Sequence, residues 1–205
     1  MQLLDWLLNI DKELFVIIHS DLAAPQLDSI FLTLRNSITS VPVYIFMLFW
    51  CYRFHKKMLW KFLLVSIACF AVTDLTTARL FKPLIDRERP CFDAALADTI
   101  RGIINCGGHL SFPSSHAANH MGISTFWFFS VRLLSGRNWY WLFLWTLLIC
   151  YAQIYVGKHY PLDIMAGIFF GWLVGLLMAK LFERMGSNNA SNSIRKRPNL
   201  DFIPQ

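Results

Sequence analysis

The chain is poor in charged residues for its length. Only 16% of its 205 residues are Asp, Glu, Lys or Arg, whereas 56% are hydrophobic and 16% are aromatic. Soluble domains carry about 25% charged residues. A water-soluble fold of this size has too much surface to hide so many apolar side chains. The composition therefore excludes an ordinary soluble domain and indicates an integral membrane protein.

Signals of several other protein classes are also missing. The start of the chain has no basic segment followed by a clean apolar run, so we predict no cleavable signal peptide. The net charge is +6, but the Lys and Arg residues form no basic stripe of the kind that binds nucleic acid. His116 and His120 have the spacing of metal ligands on a helix, but no Glu follows His116 as it does in zinc proteases. We therefore expect no nucleic acid, no metal and no cofactor.

Long apolar stretches dominate the rest of the chain, and a spanning helix needs about 20 such residues. Residues 1–20 instead place several leucines on one helical face, which is typical of an interfacial amphipathic helix. A sixth span there would bury several charges. The predicted fold is an all-α, polytopic membrane helix bundle with about five transmembrane helices plus an N-terminal amphipathic helix, six spans being possible. The predicted spans are 41–54, extended back through 30–38, and then 58–81, 114–134, 139–156 and 162–182.

The domain organisation is simple. Residues 1–185 are predicted to form one membrane-embedded domain, and residues 186–205 a flexible, basic C-terminal tail. The segments 53–61, 132–137 and 180–197 hold more Lys and Arg than the remaining loops. By the positive-inside rule these segments face the cytoplasm.

Three polar segments then fall on the opposite, outer side. Lys82 and Arg89 lie at the end of one span. Both side chains bind phosphate, Lys as a point charge and Arg through its planar, forked guanidinium. Residues 113–116 open a helix, where free backbone N–H groups bind anions. His159 and Asp163 are four residues apart, so the carboxylate can hold one imidazole nitrogen and leave the other free to attack. Together the segments indicate a phosphate site.

The same segments resemble the motifs of the type 2 phosphatidic acid phosphatase superfamily, the membrane relatives of vanadium haloperoxidases. The family motifs are Lys-x6-Arg-Pro, Pro-Ser-Gly-His and Ser-Arg-x5-His-x3-Asp. The resemblance covers about residues 40–180, in the family's order and spacing. The corresponding residues here are Lys82…Arg89-Pro90, Pro113-Ser114-Ser115-His116 and Ala152-Gln153…His159…Asp163.

The resemblance implies a role for each matching residue. His159 would attack phosphorus and form a phosphohistidine, Asp163 would orient it, and His116 would protonate the leaving oxygen. No metal is implied. The phosphate ligands would be Lys82, Arg89, Ser114, Ser115 and Gln153.

Two departures from the motifs are visible. Ser115 stands where the family has Gly, and Gln153 stands where it has the phosphate-binding Arg. Lys158, next to His159, is expected to restore part of the missing charge. Cys91 and Cys106 bracket the outer loop, where a disulfide is allowed.

The expected function is metal-independent hydrolysis of a phosphomonoester or diphosphate on a membrane lipid, at the outer face of a bacterial cytoplasmic membrane. The lipid stays open among undecaprenyl diphosphate, phosphatidylglycerol phosphate, phosphatidate and lipid A. Two alternatives also stay open: a lipid-to-lipid phosphotransferase, and a non-catalytic membrane protein for lipid binding or transport with a degenerate site. The expected partners are the lipid substrate and the bilayer, and the oligomeric state is undetermined.

Overall fold

The computed structural model describes residues 2–195, with side chains described through Gly186. This part of the chain is helical and contains no β-strand, as the sequence predicts. Short π-helical turns extend α1 and join α4 to α5. The helices are α1 (Gln2–Val16), α2 (Pro25–Leu34), α3 (Val41–His55), α4 (Leu59–Thr76), α5 (Lys82–Ile85), α6 (Ser115–Ser135), α7 (Trp141–Tyr155) and α8 (Pro161–Arg195).

Local sequence explains several of the helix ends. Pro25 and Pro161 occupy first turns, where the missing N–H costs nothing. Ser114 caps α6 by accepting a hydrogen bond from the N–H of Ala117. Gly136, at a φ of 70°, ends the same helix in the left-handed conformation. The predicted tail falls largely on residues 196–205 and on side chains beyond Gly186, which lie outside the described residues.

Two helical stretches in the described part are long and apolar enough to cross a membrane. Ser37–Ile85 has 49 residues with a mean hydropathy of 1.8, and Pro161–Gly186 has 26 residues with a mean hydropathy of 2.0. α7 is apolar but shorter. The five predicted spans coincide with the helices α3, α4, α6, α7 and α8. That all five cross the membrane stays a prediction.

The predicted backward extension of α3 through residues 30–38 is wrong for residues 30–36, since the helical stretch begins only at Ser37. The chain leaves α2 at Arg35 and turns, because the side chain of Asn36 accepts a hydrogen bond from the N–H of Ile38 at 3.1 Å. Asn favours such local turns over a continuous helix. The turn separates α2 from α3.

The N-terminal helix α1 is amphipathic, as predicted, but it also packs on the bundle. Leu3 and Leu4 are exposed, whereas Asp11 and Phe15 are buried. The carboxylate of Asp11 accepts a hydrogen bond from the N–H of Leu162, at the start of α8, at 2.8 Å. α1 is therefore tied to the beginning of α8.

Glycines let α6 and α8 touch backbone to backbone. A Cβ on Gly167 would lie 2.5 Å from the carbonyl oxygen of Ser114, and one on Gly175 would lie 2.6 Å from that of Gly122. Small residues at every fourth position permit this approach. The N–H of Ser114 also donates to the carbonyl oxygen of Asp163 at 3.0 Å. The contact fixes the beginning of α6 relative to that of α8.

The long loop between α5 and α6 is folded back on itself. Glu88 and Leu110 form an antiparallel bridge, flanked by a hydrogen bond from the N–H of Ser111 to the carbonyl of Arg87 at 2.7 Å. The disulfide between Cys91 and Cys106 that the sequence allowed is present. The loop thereby brings the end of the first motif alongside the start of the second.

Candidate active site

A cavity of about 550 Å³ lies where the three motif segments meet. Each segment contributes to its wall, although they are separated by tens of residues in the chain. The polar lining residues are Ser37, Asp74, Lys82, Arg89, Ser115, His116, Asn119, His120, Lys158 and His159, and the apolar ones are Ile38, Val41, Tyr44 and Phe70.

His159 is anchored through one ring nitrogen. Its Nδ1 lies 3.4 Å from Oδ2 of Asp163 and 3.3 Å from Oγ of Ser111. Its Nε2 forms no hydrogen bond with the described residues, which leaves this nitrogen available to the cavity. Burial lowers the pKa of His159 to about 4, although Asp163 acts to raise it. At neutral pH the imidazole is therefore uncharged and has a lone pair for attack.

Asp163 is fully buried and accepts several hydrogen bonds. Nη1 of Arg87 donates to Oδ1 at 2.8 Å, and the N–H of Tyr160 donates to Oδ2 at 2.9 Å. The hydroxyl of Ser111 donates to the same Oδ2. A buried carboxylate needs such partners, and the set fixes its orientation toward His159.

The predicted cations Lys82 and Arg89 both line the cavity. Nε of Arg89 donates to the carbonyl of Leu110 at 3.2 Å, and Nη1 donates to that of Cys106. Among the described residues, no carboxylate forms an ion pair with Lys82, Arg89 or Lys158. The positive charge in the cavity is therefore left for an anion.

Lys158 adds to this charge, as the sequence suggested. Burial, followed by the charges of Arg35, Arg89 and Lys82, lowers the pKa of Lys158 to about 8. Mutual repulsion among clustered cations lowers their pKa values, and such a cluster favours the binding of an anion.

The two serines of the second motif are placed differently. Ser114 is fully buried and acts as the cap of α6. Ser115 lines the cavity beside His116, and Oγ of Ser115 accepts a hydrogen bond from Thr77 at 2.9 Å. The hydroxyl that replaces the family's Gly is thus at the cavity wall.

Gln153 lies behind the turn that carries His159. It is fully buried, and neither of its amide atoms has a hydrogen-bond partner among the described residues. The main-chain carbonyl oxygen of Gln153, in contrast, accepts a hydrogen bond from the N–H of Lys158 at 3.0 Å. The structure thus places Gln153 against the site but outside the cavity lining.

Three residues near the site were not predicted from the sequence. Arg87 and Ser111 contact Asp163, and the signal for them is their position beside the first two motifs. Arg35 has no ion-pair or hydrogen-bond partner for its side chain within the described residues, and its Nε is buried. It precedes the turn at Ser37, which lines the cavity. The apolar pattern of residues 30–38 predicts a continuous helix and therefore gives no signal for an Arg beside a turn.

Asp74 pairs with a polar group on a neighbouring helix. Nδ2 of Asn119 donates to Oδ1 of Asp74 at 2.9 Å, and Thr73 donates to the amide oxygen of Asn119 at 2.6 Å. Asp74 and Lys82 line the same cavity, and the charge of Asp74 acts on the Lys82 side chain.

The chain is similar to several known proteins. The family model described as the PAP2 superfamily matches residues 59–186. A lipid A 4'-phosphatase of Bacteroides thetaiotaomicron is 30% identical over 199 residues, which cover 91% of this chain and 84% of that protein. The undecaprenyl-diphosphatase BcrC of Bacillus subtilis is 27% identical over 120 residues, 58% of this chain and 55% of that protein.

A solved structure is similar in fold. The PAP2 type phosphatidylglycerolphosphate phosphatase from Bacillus subtilis superposes with a TM-score of 0.68 at 18% identity, and the alignment covers 87% of each chain. At this identity the likeness concerns the fold. The matched region of the family model includes every residue from Lys82 to Asp163 discussed above.

Proposed function

This chain belongs to the PAP2 superfamily and is a lipid phosphate phosphatase, and from that premise we propose that it removes phosphate from lipid A through a phosphohistidine on His159. The observation that carries the proposal is the buried His159–Asp163 pair beside a cavity lined by unpaired cations. A neutral imidazole and a positively charged wall suit nucleophilic attack on a phosphate ester.

The proposed reaction has two steps. Nε2 of His159 attacks phosphorus, the bond from phosphorus to the lipid oxygen breaks, and His116 protonates that oxygen. Water then gives a proton back to His116 and attacks the phosphohistidine, releasing inorganic phosphate and free His159. Asp163 stabilises the imidazolium character that develops at Nδ1.

The cations of the cavity would spread the charge of the transferring phosphoryl group. Lys82 and Arg89 approach it from the first motif segment, and Lys158 approaches it from the third. Such preorganised charges stabilise a phosphoryl-transfer transition state more than the ground state.

The walls of the cavity support a lipid as the substrate. Ile38, Val41, Tyr44 and Phe70 form an apolar side of the cavity. Tyr44 and Phe70 also border an adjoining apolar groove of about 250 Å³ between α3, α4 and α6. An acyl chain attached to a phosphorylated headgroup would lie in this groove, which a soluble phosphate ester would leave empty.

Lipid A is the preferred candidate because the similarity to the lipid A 4'-phosphatase extends over 91% of this chain. The similarity to an undecaprenyl-diphosphatase covers a shorter part and makes a lipid diphosphate the second candidate. We place the reaction at the extracytoplasmic face. The basic segments on the opposite side and the Cys91–Cys106 disulfide beside the site support this orientation.

Phosphate release by the purified protein tests the proposal. The substrates are lipid A, undecaprenyl diphosphate, phosphatidylglycerol phosphate and phosphatidate, each presented alone in mixed micelles. We expect release from lipid A, and a loss of at least about 10³-fold in His159→Ala. His55→Ala, at the far end of α3, is the matched control and keeps parental turnover.

Alkaline denaturing quenching with phosphorus-labelled substrate should trap a base-stable, acid-labile phosphohistidine in the parent and none in His159→Ala. If the labelled phosphate moves to a second lipid and no free phosphate is released, the reaction is phosphotransfer and not hydrolysis. Lipid binding without turnover of any of the four substrates would overturn the proposal.

A further inference from the structure

The carboxylate of Asp11 is buried on a helix that is otherwise largely exposed. Asp11 is 2% exposed, while most of α1 around it faces outward. Its Oδ1 accepts a hydrogen bond from the N–H of Leu162 at 2.8 Å, and its Oδ2 pairs with Nη2 of Arg87 at 2.5 Å. Burial of an ionised carboxylate is costly unless it is paired and hydrogen-bonded. This carboxylate has both kinds of partner.

Arg87 connects Asp11 to the catalytic carboxylate. Its Nη1 donates to Oδ1 of Asp163 at 2.8 Å, so the planar guanidinium bridges a carboxylate from α1 and one from α8. The same guanidinium lies 4.2 Å from the centre of the Tyr160 ring. A bridged guanidinium has little freedom to rotate, and it therefore fixes Oδ1 of Asp163.

A second contact from α1 reaches the same turn. Nζ of Lys12 pairs with Asp93 at 2.6 Å, and Asp93 accepts a hydrogen bond from the hydroxyl of Tyr160 at 2.9 Å. The N–H of Tyr160 in turn donates to Oδ2 of Asp163. Consecutive residues of α1 thus hold the turn between His159 and Asp163 from two directions.

We propose that α1 is a working part of the active site, in which Asp11, acting through Arg87, positions Asp163 against His159. The inference rests on the proposed role of His159 as the nucleophile. Asp11 and Arg87 are positioning residues, because neither reaches the cavity. Without the charge of Asp11, Arg87 would draw Asp163 away from His159 and weaken the contact between Oδ2 of Asp163 and Nδ1 of His159.

The charge arrangement makes a prediction that a purely structural contact does not make. His159 faces Asp163, backed by Arg87 and Asp11, on one side, and Lys82, Arg89, Lys158 and His116 on the cavity side. Removal of the negative charge of Asp11 lowers the pKa of His159, whereas removal of the positive charge of Arg87 raises it. The acid limb of the pH profile should therefore move in opposite directions in the two variants.

The test compares Asp11→Asn, Arg87→Gln and the double variant with the parent. Asn retains an acceptor for the N–H of Leu162 and nearly the same volume, so it removes mainly the charge. We expect kcat of Asp11→Asn to fall by about tenfold to a hundredfold with little change in KM, because small misplacements of a reacting pair cost rate. Its acid limb moves to lower pH, and that of Arg87→Gln moves to higher pH. The double variant restores charge balance and has an acid limb close to that of the parent.

Asp5→Asn is the matched control, since it removes the same charge from an exposed position of α1. It should leave kcat and the pH profile unchanged. Hydrogen exchange of the peptide covering residues 158–164 gives a readout independent of activity. It should be faster in Asp11→Asn than in the parent and Asp5→Asn.

Parental kcat, pH profile and exchange in Asp11→Asn would overturn the inference. So would acid limbs that move in the same direction in both single variants. If the parent protein releases no phosphate from any lipid, the proposed function is wrong. The exchange measurement would then still decide whether α1 orders the turn between His159 and Asp163.

Discussion

Ser111 donates a hydrogen bond from its hydroxyl to Oδ2 of Asp163, and the same hydroxyl lies 3.3 Å from Nδ1 of His159. All three side chains are buried. Ser111 is held there by the pairing of its N–H with the carbonyl of Arg87. Ser111 therefore contacts both His159 and Asp163, although it lies outside all three motifs.

Ser111→Ala should lower kcat by about tenfold with little effect on KM. The substitution leaves Asp163 without one donor, and hydrogen bonds to charged groups contribute about 1.5–3 kcal/mol. Initial rates of phosphate release measure the effect. Ser130→Ala is the control, because its buried hydroxyl has no partner among the described residues. Equal kcat in the two variants would contradict the assignment.

The motif residues could be placed from the sequence because their chemistry and the helix count agree. Lys82, Arg89, His116 and His159 line one cavity, as expected from segments that end on the same side of a helical bundle. The residues that support them could not be placed. Ser111 depends on the pairing of two loop segments, which has no periodic signal.

The positions of Asp11 and Arg35 near the site could not be predicted from the sequence, for related reasons. The contact of Asp11 with Arg87 depends on how α1 packs across α8, and amphipathic patterning alone suggested only a helix on the bilayer surface. Arg35 approaches the cavity because the Asn36 side chain closes a turn, whereas the apolar residues around it suggested a continuing helix. In both cases a tertiary contact or a single side-chain hydrogen bond overrides the local pattern.

Lys158 should supply the charge that Gln153 does not. Lys158→Gln is expected to lower kcat/KM by about tenfold, the usual scale for one charge-assisted contact. Gln153→Arg should recover part of the loss in the Lys158→Gln background and change the parent little. Phosphate-release kinetics on lipid A measure all four proteins. A Lys158→Gln enzyme with parental kcat/KM would exclude Lys158 from phosphate binding.

The pH dependence provides a separate check on Lys158. Burial and the charges of Arg35, Arg89 and Lys82 lower the pKa of Lys158 to about 8. Lys158 is therefore charged below about pH 8 and neutral above it, so kcat/KM should fall as the pH rises through 8. In Lys158→Arg the guanidinium stays charged, and this alkaline limb should move up by at least about one pH unit. An unchanged limb would assign it to another group.

Gly171→Ala should destabilise the protein by about 1–3 kcal/mol through overpacking. The added Cβ would overlap the carbonyl oxygen of Ala118, which is backbone and cannot swing aside. Since α6 carries His116 and α8 carries Asp163, activity should fall together with Tm. Gly108→Ala is the control, because no atom lies within 4 Å of its Cβ position. Thermal unfolding in detergent distinguishes them, and equal Tm values would show that α6 and α8 have room to separate.

The disulfide should contribute to both stability and substrate binding. It closes a loop with a sequence separation of 15, and cross-links of this length stabilise by about 3 kcal/mol. The carbonyl of Cys106 also accepts a hydrogen bond from Arg89, so a loosened loop should release that guanidinium and raise KM. The double substitution Cys91→Ser with Cys106→Ser is therefore expected to lower Tm and raise KM, with a smaller effect on kcat. Dithiothreitol should lower Tm of the parent and leave that of the double variant unchanged. Three other cysteines, Cys51, Cys69 and Cys150, are buried free thiols, and a reductant effect that persists in the double variant would have to arise elsewhere than at this bond.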